Sequence, residues 1–440
     1  MTNFLDKYKK VLGKNFVRKL GRVSQIVGLT VESTGPDVKL GQTCYIKAGK
    51  YGTSVLSEVV GFKDNKILLM PLANMAGVGP GNQVEALDTP ITVTVSDSLL
   101  GRVLDGLGVP MDDKPLIDDG VEHFITNSAP NPLIRTRITE PLTLGVKAID
   151  GLLTIGKGQR VGIFAGSGVG KSTLMGMIAR NTKADVNVIA LVGERGREVR
   201  EFIEKDLGKE GLARSVLVIA TSDTPALVRL KAAEVATSIA EYFRDQGKDV
   251  LLLMDSLTRY AMAQREVGLA IGEPPVSRGY TPSVFTMIPK LLERAGNNDK
   301  GSITGLYTVL VDGDDLTEPV TDTARSVLDG HIVLARKIAN RNHYPAIDVL
   351  ASVSRCMSDI VDGRHKRASN ELKKSMAVYA NSEDLINIGA YVSGSSPEID
   401  DAISKHADIN MFLVQDVEER FSFEDSVGQL KMIVGHNDEI

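Results

Sequence analysis

From residue 160 onward the chain alternates short, predominantly apolar runs with longer stretches of helical period. The apolar runs fall at 160–164, 186–192, 215–220, 250–254, 303–311 and 331–334. A strand with one wet face alternates polar and apolar residues. These runs do not, so both of their faces must be covered. Strands of that kind separated by helices call for a parallel sheet between two helical layers. The best-marked helix lies between Pro225 and Gln246. Asp223 or Thr224 can cap it, Pro225 suits its first turn, and Gly247 stops it.

The loop after the first of these runs carries chemistry. Ala165-Gly166-Ser167-Gly168-Val169-Gly170-Lys171-Ser172-Thr173 follows the strand at 160–164 and opens a helical run over 172–180. Strand, loop and helix in that order are the setting of a phosphate loop. Glycines let backbone N–H groups turn inward around phosphate oxygens, and the helix N-terminus adds its positive dipole end. Lys171 supplies a cation to the β- and γ-phosphates, and the Ser172 hydroxyl can ligate Mg²⁺. The motif usually begins with glycine, and here Ala165 stands in that place. The position begins the loop and need not touch phosphate.

Two acids complete the candidate centre. Asp255 ends the run 250–254, at the strand tip where open α/β sheets bind ligands, and can hold Mg²⁺ through water. Glu194 follows the run 186–192, in Gly193-Glu194-Arg195-Gly196-Arg197. Hydrolysis of a γ-phosphate needs a group that orients and polarises water, and a glutamate on a loop at this sheet edge can do so. The flanking Arg195 and Arg197 would keep Glu194 ionised. On spacing alone, a solvated charge cluster after a strand is an equal reading.

The rest of the chain divides by pattern. Residues 1–20 read as an amphipathic basic helix, with Phe4, Leu5, Tyr8, Leu12, Phe16 and Leu20 at helical spacing. Residues 1–22 hold seven basic residues against one acid, which suits an acidic partner or a membrane surface as well as a solvated face. Residues 21–95 show short apolar runs broken by Gly35-Pro36 and Gly79-Pro80-Gly81, the pattern of a small β-barrel. Residues 96–362 form the P-loop unit, with a connecting stretch over 110–143. Residues 363–440 read as a small helical domain, with segments at 365–380, 382–392, 397–406 and 413–434.

Composition removes several function classes. The net charge of −5 over 440 residues argues against a polycation that coats nucleic acid. Residues 22–95 lack a basic and aromatic strip for single strands. Cys44 and Cys356 make neither a disulfide framework nor a metal cluster, which fits a reducing compartment. No apolar run nears the ~18 residues of a membrane span, and no signal peptide is evident, so a cytoplasmic protein is expected.

Taken together, the motifs resemble the rotary-type hexameric ATPases: catalytic subunits of F- and V-type ATPases and the export ATPases of type III secretion. The matching segments are LLGRVLDGLGVPMDD at 99–113, GVKAIDGLLTIGKGQR at 145–160, AGSGVGKS, GERGREVREFIE, LLLMDSLTRYAMAQRE, IGEPP and HYPAIDVLASVSR. The runs GSGVGKSTLMGMIAR, EYFRDQGKDVLLLMDSLTRYAMAQREVGLAIGEPP and GYTPSVF are most similar to the flagellar export branch, with the injectisome branch second.

The resemblance implies a RecA-like core and adds roles. Glu194 matches the catalytic glutamate, and Asp255 the Walker B aspartate. Arg195 and Arg259 match arginines lining the site. Tyr344 matches the tyrosine that stacks on adenine, and Arg355 the arginine that reaches into a neighbouring subunit's site. ATP and Mg²⁺ are the implied ligands. The implied partners are five more copies of the chain, a stator-like regulator at the basic N-terminal helix, a central stalk, the export gate at the inner face of the membrane, and chaperone–substrate complexes. A specific nucleic acid is not among them. A subunit of an ion-translocating rotary ATPase is the other enzymatic reading. A nucleic-acid translocase on the same core rests only on the basic patch Arg364, His365, Lys366, Arg367, Lys373 and Lys374, which also reads as a solvated helix face.

Overall fold

The structure, a computed structural model, describes residues 18–48, 53–87, 89–115, 117–311, 315 and 317–435. The basic helix expected over 1–20 lies outside the described residues as far as residue 17, and Leu20 already belongs to the first strand.

The N-terminal strands close a barrel. They are β1 (Leu20–Val27), β2 (Thr30–Thr34), β3 (Thr43–Ala48), β4 (Thr53–Lys63), β5 (Lys66–Pro71) and β6 (Gln83–Ala86), in the order β1-β2-β5-β4-β3-β6. Inward-pointing Val23, Val31, Ile46, Val59, Leu69 and Val84 fill it. Small barrels of this kind take one side chain in two from each strand. The next strand, β7 (Thr92–Val95), is not part of it. It pairs with β9 (Val121–Phe124) in a separate ribbon, whereas β8 (Val103–Asp105) joins the main sheet.

The main sheet is built from β10 (Arg160–Ala165), β11 (Val186–Val192), β12 (Ser215–Ala220), β13 (Asp249–Asp255), β14 (Gly296–Asn297), β15 (Ser302–Leu310), β16 (Gly330–Leu334) and β17 (Ile347–Ser354), with β8 at one edge. The order is β17-β16-β10-β15-β13-β11-β12-β8, with β14 pairing β15 off this path. All pairs are parallel except β14 with β15 and β16 with β17. Both faces are packed, as the unbroken apolar runs require. Val188, Leu252 and Met254 belong to the cluster on one face, Ile189, Leu251 and Leu253 to the cluster on the other. The helix Ala226–Asp245 covers the first face. Pro225 is its N-cap, later in the chain than the Asp223 or Thr224 expected, and no side chain caps it.

Three helices follow the sheet: Gly363–Asn387, Pro397–Leu413 and Phe423–Ile433. The segments expected at 365–380 and 382–392 are one continuous helix, because Ser382 is buried in it instead of marking a break. The segment 413–434 is helical only in its second half, and residues 414–422 form a loop that matters below.

Strand direction positions the site. Parallel pairing carries the C-terminal tips of β10, β11, β13 and β16 to one end of the sheet. β17 runs the other way, pairing Leu334 with Ile347 at that end and Gly330 with Ser354 at the opposite end.

A buried polar cluster ties the helical layer to the connecting stretch. Arg294 donates two hydrogen bonds to the Glu241 carboxylate, each 2.9 Å, one to the Ser238 hydroxyl at 2.8 Å and one to the Ile125 carbonyl at 2.9 Å. Removing one member of a buried pair leaves an uncompensated charge. Glu241→Ala should therefore lower stability by about 3–5 kcal/mol, read as the shift in the urea unfolding midpoint, and an unchanged midpoint would count against this role.

Candidate active site

The phosphate loop spans the gap between β10 and the helix Lys171–Asn181. Ala165 is the last residue of β10, buried and paired with Leu310 and Leu334. It packs inside the sheet rather than lining the loop, which accounts for alanine where the motif usually has glycine. Gly166 and Val169 are buried, while Ser167, Gly168 and Ser172 are exposed and Gly170, Lys171 and Thr173 half-buried. Gly170 caps the helix at φ +85°, a conformation that glycine adopts without strain. The first N–H groups of a helix have no partner within it, so this end offers donors and a positive dipole to an anion.

Three charged side chains from three loops converge here. The Lys171 ammonium lies 2.5 Å from Asp255 Oδ1 and 3.6 Å from Glu194 Oε1. Asp255 also accepts a hydrogen bond from the Thr308 hydroxyl at 2.7 Å. Burial works against the charge on Lys171. Asp255 and Glu194 outweigh it and hold the ammonium above its usual pKa. Glu194 is pushed up to about 7, first by burial and then by the Asp255 charge, with Lys171 opposing. This corrects the expectation that Arg195 and Arg197 keep Glu194 ionised. Both arginines are exposed and turn outward, Arg195 to Glu198 at 3.4 Å and Arg197 to Glu201 at 3.1 Å.

Arg259 reaches the same centre. It lies in the first turn of the helix Leu257–Ala270, where Ser256 Oγ accepts its backbone N–H. Its stem lies across Gly193, so a Cβ there would sit 2.8 Å from Arg259 Cβ. Its Nε is buried without a hydrogen-bond partner among the described residues. The oxygen donors Ser172 and Asp255 suit a hard cation such as Mg²⁺. No group of three or more His, Cys, Asp or Glu among the described residues could cage a metal.

Tyr344 flanks the loop from the other side. Its ring comes within 3.4 Å of where a Cβ on Gly170 would stand, and its exposure is 40%. Two residues at the centre carry no motif and were not singled out by sequence. Thr308 holds Asp255. Gln415, in the loop after the helix Pro397–Leu413, donates its backbone N–H to the Tyr344 carbonyl at 3.0 Å. Its buried side chain bonds Lys147 N and the Gly145 carbonyl, each at 2.9 Å.

Two candidates stay away from this centre: Arg195, which turns outward to Glu198 although the resemblance places it in the site, and Arg355. Arg355 is exposed and follows β17 at the far end of the sheet, its backbone N–H bonded to the Asp329 carbonyl before β16.

Comparison with known proteins bears on the fold and the family. Residues 145–354 match the nucleotide-binding domain of the ATP synthase alpha/beta family, and residues 23–88 match its beta-barrel domain. Residues 361–432 match the T3SS EscN ATPase C-terminal domain. The chain is 56% identical over 423 residues to the flagellum-specific ATP synthase of Bacillus subtilis (strain 168), covering 96% of each. It is 49% identical over 416 residues to the type 3 secretion system ATPase of Xanthomonas euvesicatoria, covering 94% of each. The assembled ATPase EscN of the enteropathogenic E. coli type III secretion system superposes with a TM-score of 0.89 at 47% identity, over 94% of this chain and 100% of that one.

The raised Glu194 pKa has a consequence for stability. Its folded value of about 7 lies above the ordinary 4.5, so the folded state binds more protons than the unfolded one between those values. Stability should fall as pH rises from about 4.5 to 7, and the penalty is complete above that. Glu194→Gln removes it. The nucleotide-free variant should match the parent near pH 4.5 and exceed it by about 1–3 kcal/mol at pH 8, measured by chemical denaturation. Equal stability at both pH values would refute the assignment.

Proposed function

The chain belongs to the ATP synthase alpha/beta family, among the ATPases of type III protein export, and on that premise we propose that it works as a homohexameric ring energising export through a flagellar apparatus. Flagellum-specific relatives at 56% and 51% identity stand above type 3 secretion system ATPases at 49% and 45%, which favours the flagellar system. The match to an export-type C-terminal domain weighs against a subunit of an ion-translocating rotary enzyme.

The observation that carries the ring is the position of Arg355. The Lys171 loop lies at one end of the sheet and Arg355 at the other. The eight residues of β17 span roughly 25 Å at strand rise, beyond the reach of one arginine. A chain therefore cannot serve its own site with Arg355, though it can serve that of a neighbour. Identical subunits carrying both features fill every site of a ring. The assembled form of the EscN relative, and its complex with the central stalk EscO, support the same reading and a stalk partner here.

Within one site the residues divide the work. Gly166–Gly170 N–H groups, Lys171 and the helix end bind the phosphates. Ser172 and Asp255 would hold Mg²⁺, which neutralises charge on the β- and γ-phosphates when bound. Tyr344 stacks on the adenine. Glu194 orients the attacking water, and a pKa near neutrality suits a group that must accept a proton at working pH. Arg259 lines the γ-phosphate side, and the neighbour's arginine neutralises the charge that develops on the transferred group. No described helix is long and apolar enough to cross a membrane. The ring is read as peripheral to the inner face of the membrane at the export gate. The gate, a stator-like regulator bound by the basic N-terminal segment, and chaperone–substrate complexes are its further partners.

Mixing tests the ring. Arg355→Ala should cut kcat by roughly 10³–10⁵ with ATP binding retained, and Lys171→Ala should abolish turnover. Equal mixtures of the two inactive chains should regain activity, because an intact Lys171 site then meets an intact Arg355 from its neighbour. Failure of every mixture, or an Arg355→Ala chain as active as the parent, would overturn the proposal.

A further inference from the structure

The connecting stretch presents apolar side chains outward on a rigid mount. Leu133 is 92% exposed, Ile134 50% and Phe124 56%. Each is fixed from beneath. Asn131 Oδ1 accepts the Leu133 N–H at 3.0 Å, and the 3-10 turn Pro132–Ile134 follows. Arg135 then plunges inward to the Ala295 carbonyl at 2.8 Å and to the Glu293 carbonyl. The Phe124 carbonyl accepts the Ser238 hydroxyl, which in turn accepts Arg294. Single exposed apolar residues are ordinary on a protein surface; what sets these apart is the hydrogen bonding that holds the backbone on which they stand.

The mount leads to Arg355. Glu293 pairs with Arg160 at 2.7 Å, Arg160 pairs with Asp329 at 3.1 Å, and the Asp329 carbonyl accepts the Arg355 N–H at 3.0 Å. Leu133 and Ile134, through the neighbouring Arg135, are therefore joined to Arg355 by one run of hydrogen bonds and ion pairs. We propose that Phe124, Leu133 and Ile134 form the apolar anchor of the contact between copies of this chain, seating Arg355 in the neighbour's site. The inference rests on the trans role of Arg355. That role commits this end of the sheet to a second copy, meeting its phosphate-loop end in a head-to-tail contact of the kind that closes rings. Interfaces concentrate their affinity in a few buried apolar or aromatic side chains held in the bound conformation beforehand. These residues supply apolar side chains on a held backbone, and Arg355, linked to them through Arg160 and Asp329, is the polar group that the seating must align.

The test uses the full chain with saturating MgATP and reads specific activity against protein concentration. Leu133→Ser/Ile134→Ser should raise the concentration giving half-maximal specific activity by at least tenfold. The plateau kcat, the unfolding midpoint and ADP affinity should stay as in the parent. Leu133→Met keeps apolar area and should leave that concentration unchanged. The same half-maximal concentration in the double serine variant, or an equal rise in the methionine variant, would overturn the proposal. Arg355→Ala serves as the separate arm: it should form the oligomer by light scattering yet stay inactive. Activity in that variant would sink the trans reading itself, whereas a normal response of Leu133→Ser/Ile134→Ser with an inactive Arg355→Ala would sink only the anchor.

Discussion

The Lys171 ammonium is the contact on which the site's geometry turns. It joins the loop after β10, the loop after β11 and the tip of β13 by bonding Asp255 and facing Glu194. Without it, two carboxylates would share one largely buried space, and neither could stay ionised cheaply. The same charge is the one that a nucleotide's phosphates require. Nucleotide binding therefore competes with an internal partner, and the acids need another cation once Lys171 turns away. A site of this kind is poised between two sets of charges, and the raised Glu194 pKa records that tension. Its support lies in the sheet, whose apolar strands on both faces fix the three loops at one edge.

Much of this was legible in the sequence because it is local. The apolar runs forecast doubly covered strands, and the glycine-rich loop, Asp255 and Glu194 each follow one of those runs. A parallel sheet necessarily brings such positions to one edge. What sequence could not supply was tertiary. Arg195 and Arg197 stand next to Glu194 in the chain, but the helix that starts at Gly196 carries them outward, and burial beside Asp255 sets the glutamate's proton affinity instead. Thr308 and Gln415 act through single hydrogen bonds across long separations, and no spacing marks them. The antiparallel direction of β17 is likewise invisible in its composition, yet it alone places Arg355 far from Lys171.

On the proposed roles, the two halves of nucleotide recognition depend on different parts of the molecule. Phosphate binding would rest on the sheet edge. Tyr344 is instead held from the side of the C-terminal helices, because Gln415 donates its N–H to the Tyr344 carbonyl. The docking of those helices converges on a short stretch of the core. Gln415 bonds Gly145 and Lys147, the Lys147 ammonium lies 4.6 Å from the centre of the Phe421 ring, and His365 Nε2 lies 2.7 Å from the Gly151 carbonyl. A shift of the helical domain against residues 145–151 would displace Tyr344 while leaving Lys171, Asp255 and Glu194 where the sheet fixes them. On the proposed reading of Tyr344 as the residue that stacks on the base, the fold separates holding the base from hydrolysing the phosphate. Only the first is tied directly to residues 361–432, the part that matches the T3SS EscN ATPase C-terminal domain.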